Sequence, residues 1–129
     1  MTEHAEIEIL REFDPVMLPP ETTIMAAAKH MRSRNASAVL VIEGEDELVG
    51  IFTERDAIRR VLAEGLDPAS VTLADVMTDN PDTVTPQDSA AVAVRLMQAG
   101  QCRHVPIVED RKAVGMVSRG RFVRSLLPS

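Results

Sequence analysis

Trp and Tyr are absent from this 129-residue chain, and Phe occurs three times. Proteins that hold single-stranded nucleic acid without sequence preference stack its bases on aromatic side chains. The shortage weighs against that class. So does the formal net charge of −6, which suits no broad phosphate footprint. The one cysteine, Cys102, rules out an intrachain disulfide and fits a reducing compartment. It reads as a small, semi-buried filler. His4, His30 and His104 lack metal-site spacing, Cys102 has no activating acid nearby in sequence, and no Walker-type loop occurs. Neither an enzyme nor a metal site is expected. No apolar run approaches the ~18 residues of a membrane span. The opening stretch "MTEHAEIEILREFD" is acidic and lacks the apolar core of a signal peptide. It reads as a short lead-in strand or a loose tail, and a cytoplasmic protein is expected.

What the chain does have is an internal repeat. Its length is that of one domain, and 45% of its residues are apolar, enough for a core without disulfides. "GIFTERDAIRR" at 50–60 and "GMVSRGRFVRS" at 115–125 open alike, with Gly50 and Gly115 65 residues apart. In the helices that follow, Ala57, Ile58, Val61 and Leu62 match Phe122, Val123, Leu126 and Leu127, one apolar stripe in each. Upstream the offset is 66: Pro20 matches Pro86, Thr23 matches Ser89 and Met31 matches Met97. The one-residue change falls between "VIEGEDELVG" and "VEDRKAVG", strand–turn–strand patterns in which a turn absorbs the deletion.

Each half therefore reads as a short strand, a helix, a hairpin and a second helix. Helices are expected near 21–34, 53–64, 88–100 and 118–127, with a short one at "TLADVM". Hairpins are expected at 38–43 with 47–52 and at 104–109 with 112–118. Half a domain buries too little surface alone, so the two halves should share one core.

With "GIFTERD", "DVMT", "RHVPIVED" and "GMVS" in these places, the chain resembles a tandem pair of CBS domains, a Bateman module, over roughly residues 14–127. The resemblance implies a mixed α/β (α+β) fold of two β-α-β-β-α repeats, packed sheet to sheet about a pseudo-twofold axis. The expected division is a lead-in at 1–13, repeat 1 at 14–70 and repeat 2 at 71–129. The resemblance further implies a cleft that holds an adenine nucleotide (AMP, ADP, ATP, NAD or S-adenosylmethionine, with AMP or ATP foremost). It implies a regulatory role, exerted in trans on a partner protein, and a homodimer. Met25, Met97, Leu126 and Leu127 are candidates for the dimer contact. The alternative is a ligand-free module that only dimerises.

Local chemistry allows two accounts of the first motif. Thr53 and Asp56 form a capping-box pair at a strand-to-helix junction, which needs no ligand. The same junction presents backbone N–H groups to phosphate, and a short carboxylate can accept ribose hydroxyls. The resemblance implies that Thr53 touches ribose or phosphate and that Asp56 holds the ribose. By the same resemblance Val16, Met17 and Leu18 flank the adenine, Ile51 faces the cleft, and Arg55, Arg103 and His104 approach phosphate. In the second copy Ser118 can still cap its helix, but Arg121 replaces the acid. Guanidinium has no acceptor for a ribose hydroxyl, so the second site is expected to be degenerate.

Overall fold

The computed structural model of the chain describes residues 7–120 and Val123. The chain divides into two compact units, Pro15–Pro81 and a flanking unit of Met1–Asp14 with Asp82–Ser129. This 81/82 boundary separates compact units, whereas the 70/71 division read from the sequence separates the repeats. The two differ because Leu73 and Val76 bury their side chains in the core of the first unit.

The Pro15–Pro81 unit begins with β1 (Val16–Leu18), preceded in the chain by the short helix α1 (Ile7–Leu10) of the flanking unit. Helix α2 (Ile24–Arg34) follows, capped by the Thr23 hydroxyl, which accepts from Ala26 N–H. It buries Ile24, Ala27 and Met31, the i, i+3, i+7 stripe of an amphipathic helix. It ends at Asn35 in the left-handed region, with Ala36 N–H donating to Met31 C=O in a Schellman-type bond. Strands β2 (Ala38–Glu43) and β3 (Glu47–Thr53) form the hairpin, and β1 pairs in parallel with β2. Helix α3 (Glu54–Asp56) leads directly into a π-helix, Ala57–Leu62. Helix α4 (Leu73–Val76) and β4 (Thr78–Asp79) close the unit, with β4 antiparallel to β3.

The flanking unit repeats this plan. Helix α5 (Ala90–Gly100) buries Ala90, Ala93 and Met97 and ends at Gln101 in the left-handed region. Strands β5 (His104–Glu109) and β6 (Lys112–Ser118) form its hairpin. Val84 pairs in parallel with Ile107, as Leu18 does with Val41. Both hairpins carry a register shift at matched places, after Val41 and after Ile107. The missing residue lies in the turn: Glu43 and Glu47 bracket three residues, Glu109 and Lys112 only two. Asp110 and Arg111 both have positive φ, the geometry of a tight two-residue hairpin turn. Of the helix expected at 118–127, residues 121, 122 and 124–127 lie outside the described residues.

From Ile7 onward the opening stretch is neither strand nor loose tail. Ile7 and Leu10 of α1 are buried in the flanking unit's core, against α5 and β6. Glu12 bridges Met116. An offset of 66 maps α1 onto α4, Glu12 onto Thr78, and the bond from Ile7 N–H to Asp88 C=O onto that from Leu73 N–H to Thr22 C=O. The repeat thus reaches back past residue 14 to Ile7, and each copy's first helix completes the core of the other copy's unit. Gly50 and Gly115 lie under these crossing segments. A Cβ on Gly50 would meet Met77 Sδ at 2.4 Å, and one on Gly115 would meet Arg11 Cγ at 2.5 Å. A side chain at Gly115 would displace the segment's backbone, and one at Gly50 chiefly the Met77 side chain.

Candidate functional site

Strand β3 delivers Thr53 in extended conformation to the start of α3. The Thr53 hydroxyl accepts from Asp56 N–H at 3.2 Å, and Asp56 Oδ2 accepts from Thr53 N–H at 2.9 Å. This reciprocal box fixes both side chains. The Glu54 N–H donates to Ser37 C=O at 3.0 Å, tying the helix start to the chain entering β2. Asp56 Oδ1 lies 3.7 Å from Arg60 Nε, with the Asp56 side chain 17% exposed. A carboxylate offers about four lone pairs, so the box leaves Asp56 able to accept from a ligand. The helix then runs on as a π-helix, a form that recurs at functional sites.

Side-chain alternation decides which neighbours share this face. Val16, Val39, Val41 and Phe52 belong to the helix-packed core, and Leu18 packs against it. The alternate residues Met17, Leu40 and Ile51 lie in one cross-strand row on the other face, with Thr53 opposite Ala38 on the same side. Of the three apolar residues singled out in β1, then, only Met17 shares the face of Ile51 and Thr53. Val16 and Leu18 face the core. Arg55 is exposed in the first turn.

Arg103, His104 and Ser118 belong to the flanking unit. His104 opens β5 directly opposite Ser118. Arg103 is exposed, and its C=O accepts from Arg119 N–H at 2.7 Å, the counterpart of the Ser37–Glu54 bond. The Ser118 hydroxyl is engaged by the carboxylate of Glu12. Arg121 lies outside the described residues. The half-buried Cys102 packs against the core of this unit, its thiol 3.8 Å from Leu96 C=O. Among the described residues no group of three His, Cys, Asp or Glu could hold a metal ion.

Two residues at these sites were not singled out in the sequence. Arg60 contacts Asp56 one helical turn on, a spacing readable as an i, i+4 pair. Glu12 could have been found only by extending the 66-residue offset back past residue 14.

A family model described as "CBS domain" matches residues 7–63 and 73–128, spans that begin at α1 and α4. The chain belongs to the CBS-domain family. CBS-domain proteins are generally regulatory rather than catalytic. Among curated relatives, it is 36% identical over 111 residues to the CBS domain-containing protein CBSX3, mitochondrial, of Arabidopsis thaliana. The match covers 83% of this chain but about half, 54%, of that protein. Among solved structures, an uncharacterized conserved protein from Pyrococcus horikoshii superposes with a TM-score of 0.91 and 25% identity, covering 100% of this chain and 97% of that one. The CBS domain pair of protein MJ0100, in complex with 5′-methylthioadenosine and S-adenosyl-L-methionine, gives 0.85 and 25%, covering 94% of each chain. The fold is thus a mixed α+β CBS pair. Among the described residues no helix is long and apolar enough to cross a membrane.

Proposed function

We propose that this CBS pair is a regulatory module that binds an adenosine-containing ligand at Thr53 and Asp56 and passes its occupancy to a partner protein. The observation that carries the reading is the fixed Thr53–Asp56 box at the end of β3. It holds a carboxylate in place at the end of the strand whose Ile51 lies in a row with Leu40 and Met17, an apolar row suited to one face of an adenine. The MJ0100 pair, with its two adenosine-containing ligands, supports the same class of ligand. Asp56 takes the ribose hydroxyls, and the helix start and Arg55 suit a phosphate or carboxylate tail. AMP and ATP are the first ligands to try, then ADP, NAD and S-adenosylmethionine.

A homodimer completes the proposal. Ile58 and Leu62, one turn apart on the π-helix, are 60% and 68% exposed, and Met25 is 41% exposed. Met97, expected on this surface, is instead buried against Ala93 and Val105, and Leu126 and Leu127 lie outside the described residues. Two exposed large apolar residues on one helical face are costly unless covered.

Thermal shift followed by calorimetry tests the ligand. A ligand at 100 times its Kd adds about 2.7 kcal/mol to stability. No shift with any of the five compounds would leave the ligand-free dimerisation module as the better reading.

A further inference from the structure

Asp56 is held from a second side by a residue outside the motif. Arg60 Nε lies 3.7 Å from Asp56 Oδ1, while Arg60 Nη1 donates to Val76 C=O at 3.0 Å and to Met77 C=O at 3.2 Å. Those carbonyls end α4, where a helix leaves acceptors without internal partners and favours a cation. One planar guanidinium thus touches the motif's acid with one edge and the end of α4 with the other. Met77 lies against Gly50, and Thr78 and Asp79 pair with Ile51 and Gly50. The path returns to the strand that carries Thr53.

We infer that Arg60 is a positioning residue of the proposed ligand site, coupling the charge on Asp56 to the end of α4 and to β4. The ligand-dependent half of this inference rests on the proposed function; the ligand-free half does not. Asp56 and the two carbonyls share Arg60. At 3.7 Å the Asp56 contact is an ion pair beyond hydrogen-bond length. Ribose hydroxyls donating to Asp56 offset its charge and weaken its pull. The guanidinium then settles on the Val76 and Met77 carbonyls, and the segment from α4 into β4 tightens. Occupancy of the first motif becomes order in the opening segment of the second repeat.

Hydrogen exchange read by mass spectrometry on the full chain tests this with Arg60→Met, Asp56→Asn and the double variant. Asn keeps an acceptor for Thr53 N–H and loses only the charge. Without ligand, Arg60→Met should speed exchange at 77–80 about two- to tenfold, the worth of a lost hydrogen bond. Asp56→Asn should slow it about twofold, the scale of an exposed i, i+4 pair. In the double variant the slowing should vanish, and amides of β2 should serve as the unmoved control. Saturating AMP or S-adenosylmethionine should slow exchange at 77–80 in the wild type more than in β2. Arg60→Met should lose that difference while still binding. Faster or unchanged exchange in Asp56→Asn, or slowing that persists without Arg60, would overturn the coupling. If calorimetry finds no binding of either probe to the wild type, the ligand reading fails, and the ligand-free comparison still decides the role of Arg60.

Discussion

The Ser118 hydroxyl donates a hydrogen bond to the Glu12 carboxylate at 3.2 Å, across 106 residues of chain. Ser118 is the counterpart of Thr53, yet its hydroxyl meets a carboxylate from a different part of the chain. Thr53 accepts from its own helix, beside a carboxylate three residues on. Ser118 gives its proton to a carboxylate brought from the opening of the chain. A negative charge there repels a phosphate tail. Calorimetry with AMP should therefore give one tight site per chain. Glu12→Ala should cost about 0.5–1.5 kcal/mol of stability and leave that affinity unchanged. Two equal tight sites would contradict this.

Asp56→Ala should weaken adenosine-ligand binding by about 1.5–3 kcal/mol, the range for hydrogen bonds to a charged group. That is roughly tenfold to over a hundredfold in Kd. The variant also loses the capping box, at about 0.5–2 kcal/mol of stability. Asp56→Asn separates the two effects, since it keeps an acceptor for the cap. Unchanged affinity in Asp56→Ala would remove Asp56 from the site.

The glycine pair gives an ordered prediction. A Cβ on Gly50 meets chiefly the flexible Met77 side chain, with Thr78 C=O at 3.0 Å. A Cβ on Gly115 meets Arg11 and also Glu12 C=O at 2.8 Å, which is backbone held in a bridge. Overpacking costs about 1–3 kcal/mol, and Gly115→Ala should be the costlier substitution in urea denaturation. The reverse order would mean that the segment over Gly115 shifts freely.

Ile58→Asp should convert a dimer into a monomer without unfolding either unit, because Ile58 is 60% exposed. Light scattering gives the mass and circular dichroism the fold. A wild-type monomer at micromolar concentration would end the dimer proposal.

Hairpins and helix stripes were legible in the sequence because turn residues and apolar periodicity are local signals. The offset change was legible for the same reason, and it does fall in the turn. The exposure of Ile58 was not. It shares a stripe with Val61, yet Val61 is 1% exposed and Ile58 is 60% exposed. Periodicity marks an apolar face without saying whether core or partner covers it. The facing of Val16 and Leu18 against Met17 follows from strand alternation, but a three-residue strand is too short to reveal its inward side without its neighbours. The helix α1 was hidden for another reason. Its four residues carry a weak pattern, and they are buried only because α5 and β6 arrive about 80 and more residues later in the chain to cover them.

That exchange of opening helices sets an order of assembly. As the chain leaves the ribosome, α1 emerges well before the α5 and β6 surface that buries it. The Pro15–Pro81 unit is continuous and closes with α4 as soon as residue 81 is free. The flanking unit must join segments that lie before and after the first unit in sequence, a contact of long sequence separation and so a slow one. During that wait Ile7 and Leu10 are bare. A stalled or truncated chain would present them to whatever hydrophobic surface is nearby, including the unfilled core of a second copy, so interrupted synthesis should favour swapped or aggregated chains.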